Sequence, residues 1–203
     1  MADKKRELAL PWRDTRPLIV IAGDSQIELG DWYGLFGGAF AIRNGGLSRA
    51  KIEDVTSLVS SLGDPNPKMM VLMCGVNNLS LKDSVSTCIS NYAELLSMAN
   101  SSVHPQRLVV LSVMPVRESA PDQASHEFNR QIATFNSELE TLCPRYKAEF
   151  INVNPVVMDS RGGLAADLTL DGLHLNRDGY RKIAAVLAPE LANTNHLRIY
   201  ETR

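Results

Sequence analysis

Asp171-Gly-Leu-His174 sets a carboxylate and an imidazole three residues apart, a spacing that a tight turn can close with both side chains on one side. The carboxylate can then accept from the His Nδ1–H, fix the tautomer and leave Nε2 as a base. Of the four histidines, His104, His126, His174 and His196, only His174 has an acid so placed. A base of this kind suits a serine hydroxyl, which is a poor nucleophile at neutral pH until a base takes its proton. Ser25 is the candidate, because it closes the run Leu18-Ile-Val-Ile-Ala-Gly-Asp-Ser25. The chemistry would be acyl transfer by a Ser–His–Asp device. The plainer alternative makes Ser25 a helix cap and the Asp–His pair incidental loop residues.

Such a device needs elements that bring both ends of the chain together. The apolar, β-branched run Leu18–Ala22 predicts a buried strand, and Ser25 to about Phe36 a helix. Phe40–Arg43, Met69–Cys74, Leu108–Val113 and Phe150–Val153 read as four more strands. Between them, Ser48–Leu62, Ser84–Met98 and about His126–Leu142 carry amphipathic stripes, as does a last helix from about Arg177 to Leu191. Strands alternating with helices predict an α/β fold: a five-stranded parallel sheet covered on both faces. Ligands bind outside the carboxyl ends of such strands, where Ser25 and the Asp171–His174 turn both fall. No internal repeat or linker occurs, so residues 1–203 read as one domain, with 1–16 as a surface lead-in.

Acyl transfer also needs donors aimed at the developing oxyanion. Asn77, in Gly75-Val-Asn77-Asn78 after the third strand, can present a side-chain NH2. Asn44-Gly45-Gly46-Leu-Ser-Arg49, after the second strand, can present backbone N–H groups. Each loop taken alone also reads as an ordinary turn.

Gly23-Asp24-Ser25, the Asn44–Arg49 loop, Gly75-x-Asn77 and Asp171-x-x-His174 resemble, in order, the four blocks of the SGNH (GDSL) hydrolase family. Leu111-Ser-Val-Met-Pro115 and Asp171–Tyr180 are also similar to family stretches, so the resemblance covers nearly the whole chain. It implies a flavodoxin-like three-layer α/β/α sandwich and an esterase, lipase or deacetylase. It implies Ser25 as nucleophile, His174 as base and Asp171 as its orienter, with oxyanion donors at the Ser25 N–H, a second-block backbone N–H and the Asn77 side chain. Two departures stand out. Arg49 occupies the position where the family usually has its donor glycine, so Arg49 or, after a local shift, Gly46 would supply that N–H. Asn78 stands where many members have Asp, with a small effect expected. No G-x-S-x-G elbow surrounds Ser25, which disfavours the α/β-hydrolases.

Net charge is −2, so no long-range field recruits nucleic acid or an anionic membrane surface. No apolar run is long enough to span a bilayer and no signal-peptide core follows Met1-Ala-Asp-Lys-Lys-Arg-Glu, so a cytoplasmic chain without integral membrane association is expected. Cys74, Cys88 and Cys143 suggest neither a disulfide framework nor a zinc site. Cys74 reads as core. No cofactor or metal is expected, the substrate is a small-molecule ester, and a homo-oligomer is left open. Trp32, Tyr33 and Phe36 read as core or rim packing, and Arg117 as a solvated loop residue. The leading expectation is a serine esterase acting on small O-acyl esters, acetyl or short-chain, through an acyl-enzyme. The alternatives are an acyltransferase or thioesterase on the same site, or a binding or scaffold protein with weakened catalysis.

Overall fold

The computed structural model describes residues 15–118 and 123–193; most of the expected lead-in therefore lies outside the described residues. Five parallel strands form one sheet: β1 (Leu18–Gly23), β2 (Ala41–Gly46), β3 (Met69–Met73), β4 (Leu108–Leu111) and β5 (Ala148–Ile151). Their order is β2-β1-β3-β4-β5, the flavodoxin-like arrangement. The order reverses between β1 and β3, and this is where such sheets open a crevice at their carboxyl ends.

Successive residues of a strand face opposite sides of a sheet, which divides the core in two. Val20, Ala22, Met70, Leu72 and Val110 face one layer, built by α3 (Ile52–Ser60), α5 (Val85–Met98) and α6 (Gln123–Leu142). Ile19, Ile21, Met69, Val71 and Val109 face the other, where Trp32 of α2 (Trp32–Phe36) and Tyr180, Ile183 and Leu187 of α7 (Arg177–Asn193) pack. A strand apolar on both faces is buried on both, as a parallel sheet requires. Cys74 is fully buried, and burial pushes its thiol well above the usual range.

Several boundaries differ from the periodicity reading, each for a local reason. The helix expected over 25–36 is two short ones, α1 (Ser25–Glu28) and α2. Trp32 folds back beneath α1, where its indole N–H donates to the Ile27 carbonyl at 2.7 Å, and Asp31 caps α2 by accepting from Gly34 N at 2.9 Å. Strand β2 runs on through Asn44, Gly45 and Gly46, which their turn-like composition placed in a loop. A Cβ on Gly46 would overlap the backbone nitrogen of Glu28, so glycine there lets β2 lie directly against α1. Helix α3 starts at Ile52 rather than Ser48, with the Asp54 carboxylate accepting from Lys51 N at 3.0 Å. Gly75–Asn78 leads into a short helix, α4 (Val76–Ser80), rather than a turn. Gly75 has φ +128° and a Cβ on it would stand 2.7 Å from the Phe135 ring, so no other residue fits.

Strand β4 ends at Leu111 instead of Val113, because the next backbone stretch pairs with side chains. Asn136 accepts from Val113 N and donates to Val113 O, both at 2.8 Å. Asn129 does the same for Val116, at 2.8 and 2.9 Å. Both amides lie on the inward face of α6 and stand in for a missing sheet partner.

Candidate active site

Strand β1 delivers Asp24 and Ser25 to the crevice between β1 and β3. Asp24 caps α1: its Oδ1 accepts from Gln26 N at 2.9 Å. Ser25 is the first residue of α1 and is buried except for a small exposed edge. Its Oγ lies 2.9 Å from Nε2 of His174, 149 positions along the chain.

The turn that carries His174 is closed by its own side chains. Asp171 Oδ1 accepts from the N–H groups of Leu173 and His174 at 2.9 and 2.8 Å, and Oδ2 lies 2.7 Å from His174 Nδ1. Gly172, at φ +92°, makes the reversal. Thr169 Oγ1 accepts from Gly172 N at 2.9 Å and donates to His174 O at 2.8 Å. The backbone and imidazole donors on Asp171 hold its carboxyl down at about 2. It is therefore ionised near neutral pH and only accepts, which puts the proton on Nδ1 and leaves the Nε2 lone pair for the Ser25 hydroxyl. Two further bonds tie this turn to α1. The Gln26 side-chain amide donates to Leu173 O, and the Tyr180 hydroxyl donates to Gln26 O at 2.7 Å.

The opposite lip of the crevice follows β2 and β3. Asn77 Nδ2 donates to the Ala50 carbonyl at 2.9 Å, which fixes the amide and leaves its second N–H uncommitted. Arg49, just before Ala50, has φ +61°, a left-handed conformation unusual for a residue with a long side chain. Its N–H and that of Ser25 have no acceptor among the described residues. The N–H of Gly46, by contrast, donates to Asn44 Oδ1 at 2.9 Å. Of the two second-block candidates, Arg49 thus holds the open donor, and Gly46 serves the contact with α1.

Asn78 is fully buried and stitches this lip together. Its Oδ1 accepts from Ile52 N at 2.9 Å, and its Nδ2 donates to Glu53 Oε2 and Asp83 Oδ2, each at 3.0 Å. An Asp here would add a third carboxylate and remove the donor that the other two share, so the amide suits these neighbours. Asp83 also pairs with Lys51 at 2.9 Å.

Asp24 is 1% exposed, and burial raises its carboxyl to about 7 against the opposing pull of the Gln26 N–H and the charge of His174. Trp32 is buried, with its ring edge-on to Tyr180 at 5.6 Å, whereas Tyr33 is 65% exposed; Trp32 is core, as the packing reading expects. Arg117 is exposed, and its backbone N–H donates to Gly172 O at 2.8 Å, so it borders the Asp171–His174 turn. A neighbouring cavity of about 500 Å³ between α1–α2 and the start of α7 shares Leu29 and Leu170 with the flanks of the site, and the triad is not in its walls. Among the described residues no cluster of three or more His, Cys, Asp or Glu side chains could hold a metal ion, and no helix is long and apolar enough to cross a membrane.

Sequence reasoning missed the supporting residues. Tyr180 lies on the apolar stripe of α7, where periodicity says nothing about a hydroxyl. Gln26 gave no signal beyond its place beside Ser25. Asn129 and Asn136 did leave one: they are amides three or four positions from Ile132 on an apolar helical face.

The chain resembles curated proteins in sequence and solved structures in fold. The alpha1 subunit of platelet-activating factor acetylhydrolase IB from Rattus norvegicus is 27% identical over 86% of this chain and 75% of its own length. A Streptococcus pneumonia structure named for platelet activating factor superposes with a TM-score of 0.80 at 24% identity, over 93% of this chain and 90% of the other. An acetylxylan esterase from Geobacillus stearothermophilus, as a catalytic mutant, gives a TM-score of 0.68 at 12% identity, over 86% and 94%. Residues 22–182 match one family along their length, a span that begins inside β1 and ends inside α7. The chain belongs to the GDSL-like Lipase/Acylhydrolase family.

Proposed function

We propose that the chain is a serine esterase that cleaves small O-acyl esters, acetyl or short-chain, through an acyl-enzyme. The observation that carries this reading is the unbroken relay from Ser25 Oγ to His174 Nε2 at 2.9 Å and from His174 Nδ1 to Asp171 Oδ2 at 2.7 Å. Ser25 Oγ attacks the acyl carbon as its proton passes to Nε2. The imidazolium faces the Asp171 carboxylate, which stabilises its charge and stays ionised. Collapse of the tetrahedral adduct breaks the ester C–O bond, and the proton on Nε2 goes to the departing alkoxide. Water, activated by the same Nε2, then attacks the acyl-enzyme, and Ser25 leaves with the proton.

The negative oxygen of each adduct would be met by the Ser25 N–H, the Arg49 N–H and the second N–H of Asn77. Ser25 starts α1, so its N–H is one that no helical carbonyl satisfies. Donors already fixed in place need no reorganisation when charge develops, which is why they matter to the rate. The acetyl group in the names of both the mammalian relative and the xylan esterase makes acetyl the first acyl group to test.

The test is p-nitrophenyl acetate hydrolysis together with labelling by a fluorophosphonate. Stoichiometric labelling at Ser25, and loss of both labelling and turnover in Ser25→Ala, are expected. Retention of most activity by Ser25→Ala would sink the nucleophile assignment.

A further inference from the structure

Arg49 is a long cationic residue held where backbone geometry favours glycine. The left-handed conformation costs a residue with a Cβ about 1–2 kcal/mol, and non-glycine residues kept in it cluster at functional sites. Its N–H needs no side chain to donate, so the guanidinium is superfluous to that task. The side chain is exposed and has no hydrogen bond or ion pair among the described residues. Of the arginines nearby, Arg161 pairs with Asp159 and Arg181 with Asp178, while Arg177 at the start of α7 is exposed like Arg49.

Arg117 shows the same freedom on the far lip. Its backbone is fixed by the bond to Gly172 O, inside the Asp171–His174 turn, and its exposed guanidinium likewise has no partner among the described residues. None of the nearby carboxylates pairs with either arginine. Glu28 accepts from Ser48, Asp171 holds His174, and Glu118 accepts from Asn129 and faces His126. Strand β2, which leads to Arg49, lies one spacing, ~4.8 Å, from β1, which leads to Ser25. Arg49 and Arg117 thus stand on the two lips that flank Ser25, each without an ion-pair partner among the described residues.

We infer that Arg49 and Arg117 select esters whose alcohol portion carries an anionic group, such as a carboxylate, phosphate or sulfate. This rests on the esterase reading and names its substrate class. Guanidinium is suited to the task, because it stays charged and binds planar oxyanions through two parallel N–H bonds. Placed on the rim, it would act on capture of the substrate, and so on KM, more than on the acyl-transfer step.

The experiment compares p-nitrophenyl acetate with 4-acetoxybenzoate and 4-acetoxyphenyl phosphate, each rate divided by that ester's hydrolysis by hydroxide alone. The expected result is a kcat/KM for the anionic esters about ten- to a hundredfold above the neutral one, in the range of a charge-assisted hydrogen bond, and a preference that shrinks as NaCl rises. Arg49→Gly keeps the N–H and removes the cation, so the preference should fall through KM. Arg49→Lys should restore part of it, and Arg117→Gln should lower it further when combined with Arg49→Gly. The carboxylate and phosphate arms report which anion is favoured. Hydrolysis of the neutral ester with no anionic preference, or a preference unchanged in both arginine variants, would overturn the substrate class and leave the esterase reading standing. Hydrolysis of none of the three esters would overturn both.

Discussion

The two lips of the crevice hold their polar groups by different means. On the His174 lip, three donors converge on one carboxylate within four residues, and a threonine and a glycine complete the turn. Each of these bonds has a side-chain atom of Asp171 or Thr169 as its acceptor. On the Arg49 lip the position of the group is set by backbone conformation, a left-handed residue between a strand and a helix, with Asn77 and Asn78 bracing it from β3. The first lip is specified by residue identity and the second by chain path. A substitution of Asp171 should therefore remove bonds, and one at Arg49 should change strain or aim.

That contrast can be broken most sharply at Asp171. Asp171→Asn keeps the size of the side chain but removes the acceptor that holds the proton on Nδ1, and kcat on p-nitrophenyl acetate should fall about 10⁴-fold. Little change would mean that the turn alone orients the imidazole. Asn77→Ala is next. It removes a donor without touching the relay, and a fall in kcat of about 10²–10³ with KM nearly constant is expected. A change confined to KM would place Asn77 in substrate binding instead.

A third test lies beneath both lips. With Asp24 raised to about 7, the folded chain holds a proton that the unfolded chain releases near the ordinary value of 3.8. The folded state thus binds more protons between those two pH values, and this group's contribution to stability is lost as pH climbs through that window. Asn caps helices as well as Asp does, so Asp24→Asn should keep α1 and flatten the decline in unfolding free energy from about pH 4 to 7. An unaltered slope in urea titrations would show that Asp24 is not its source. Asp171, lowered to about 2, acts in the opposite sense: its stabilisation is present above 3.8 and fades as pH drops towards 2. The smallest effect is expected at Arg49. Arg49→Gly relieves the left-handed strain but adds freedom to the unfolded chain, so a net gain below ~1 kcal/mol should appear in thermal unfolding. A clear loss would mean that the arginine side chain makes stabilising contacts.

The same contrast decides what could be read from the sequence. The meeting of Ser25, Asp171 and His174, with Asn77 on the opposite lip, was legible because the pattern lies in their functional groups and the strand and helix rhythm placed them on one rim. The rest depended on what the chain packs against. Asn44-Gly45-Gly46 has the composition of a turn and is strand, because only the neighbouring α1 shows why glycine is needed there. Strand β5 begins at Ala148, two residues before the apolar run suggested, because its register is set by β4 rather than by its own hydrophobicity. Nothing in an arginine announces a positive φ; the resemblance to a glycine-bearing block was the only hint. The amides of Asn129 and Asn136 look like errors in an apolar stripe until the bare backbone of 113–116 is set beside them.

Ser25 and His174 are separated by 149 positions, and the bonds of Gln26 to Leu173 and of Tyr180 to Gln26 span 147 and 154. During synthesis a ribosome would release the strand that leads to Ser25 long before His174 existed. The growing polypeptide would carry Ser25 without its imidazole partner until the start of the last helix had emerged and docked. Any activity that depends on the pair would then arise in a single late event, and its onset in a timed translation reaction would serve as a clock for completion of the sheet's outer layer.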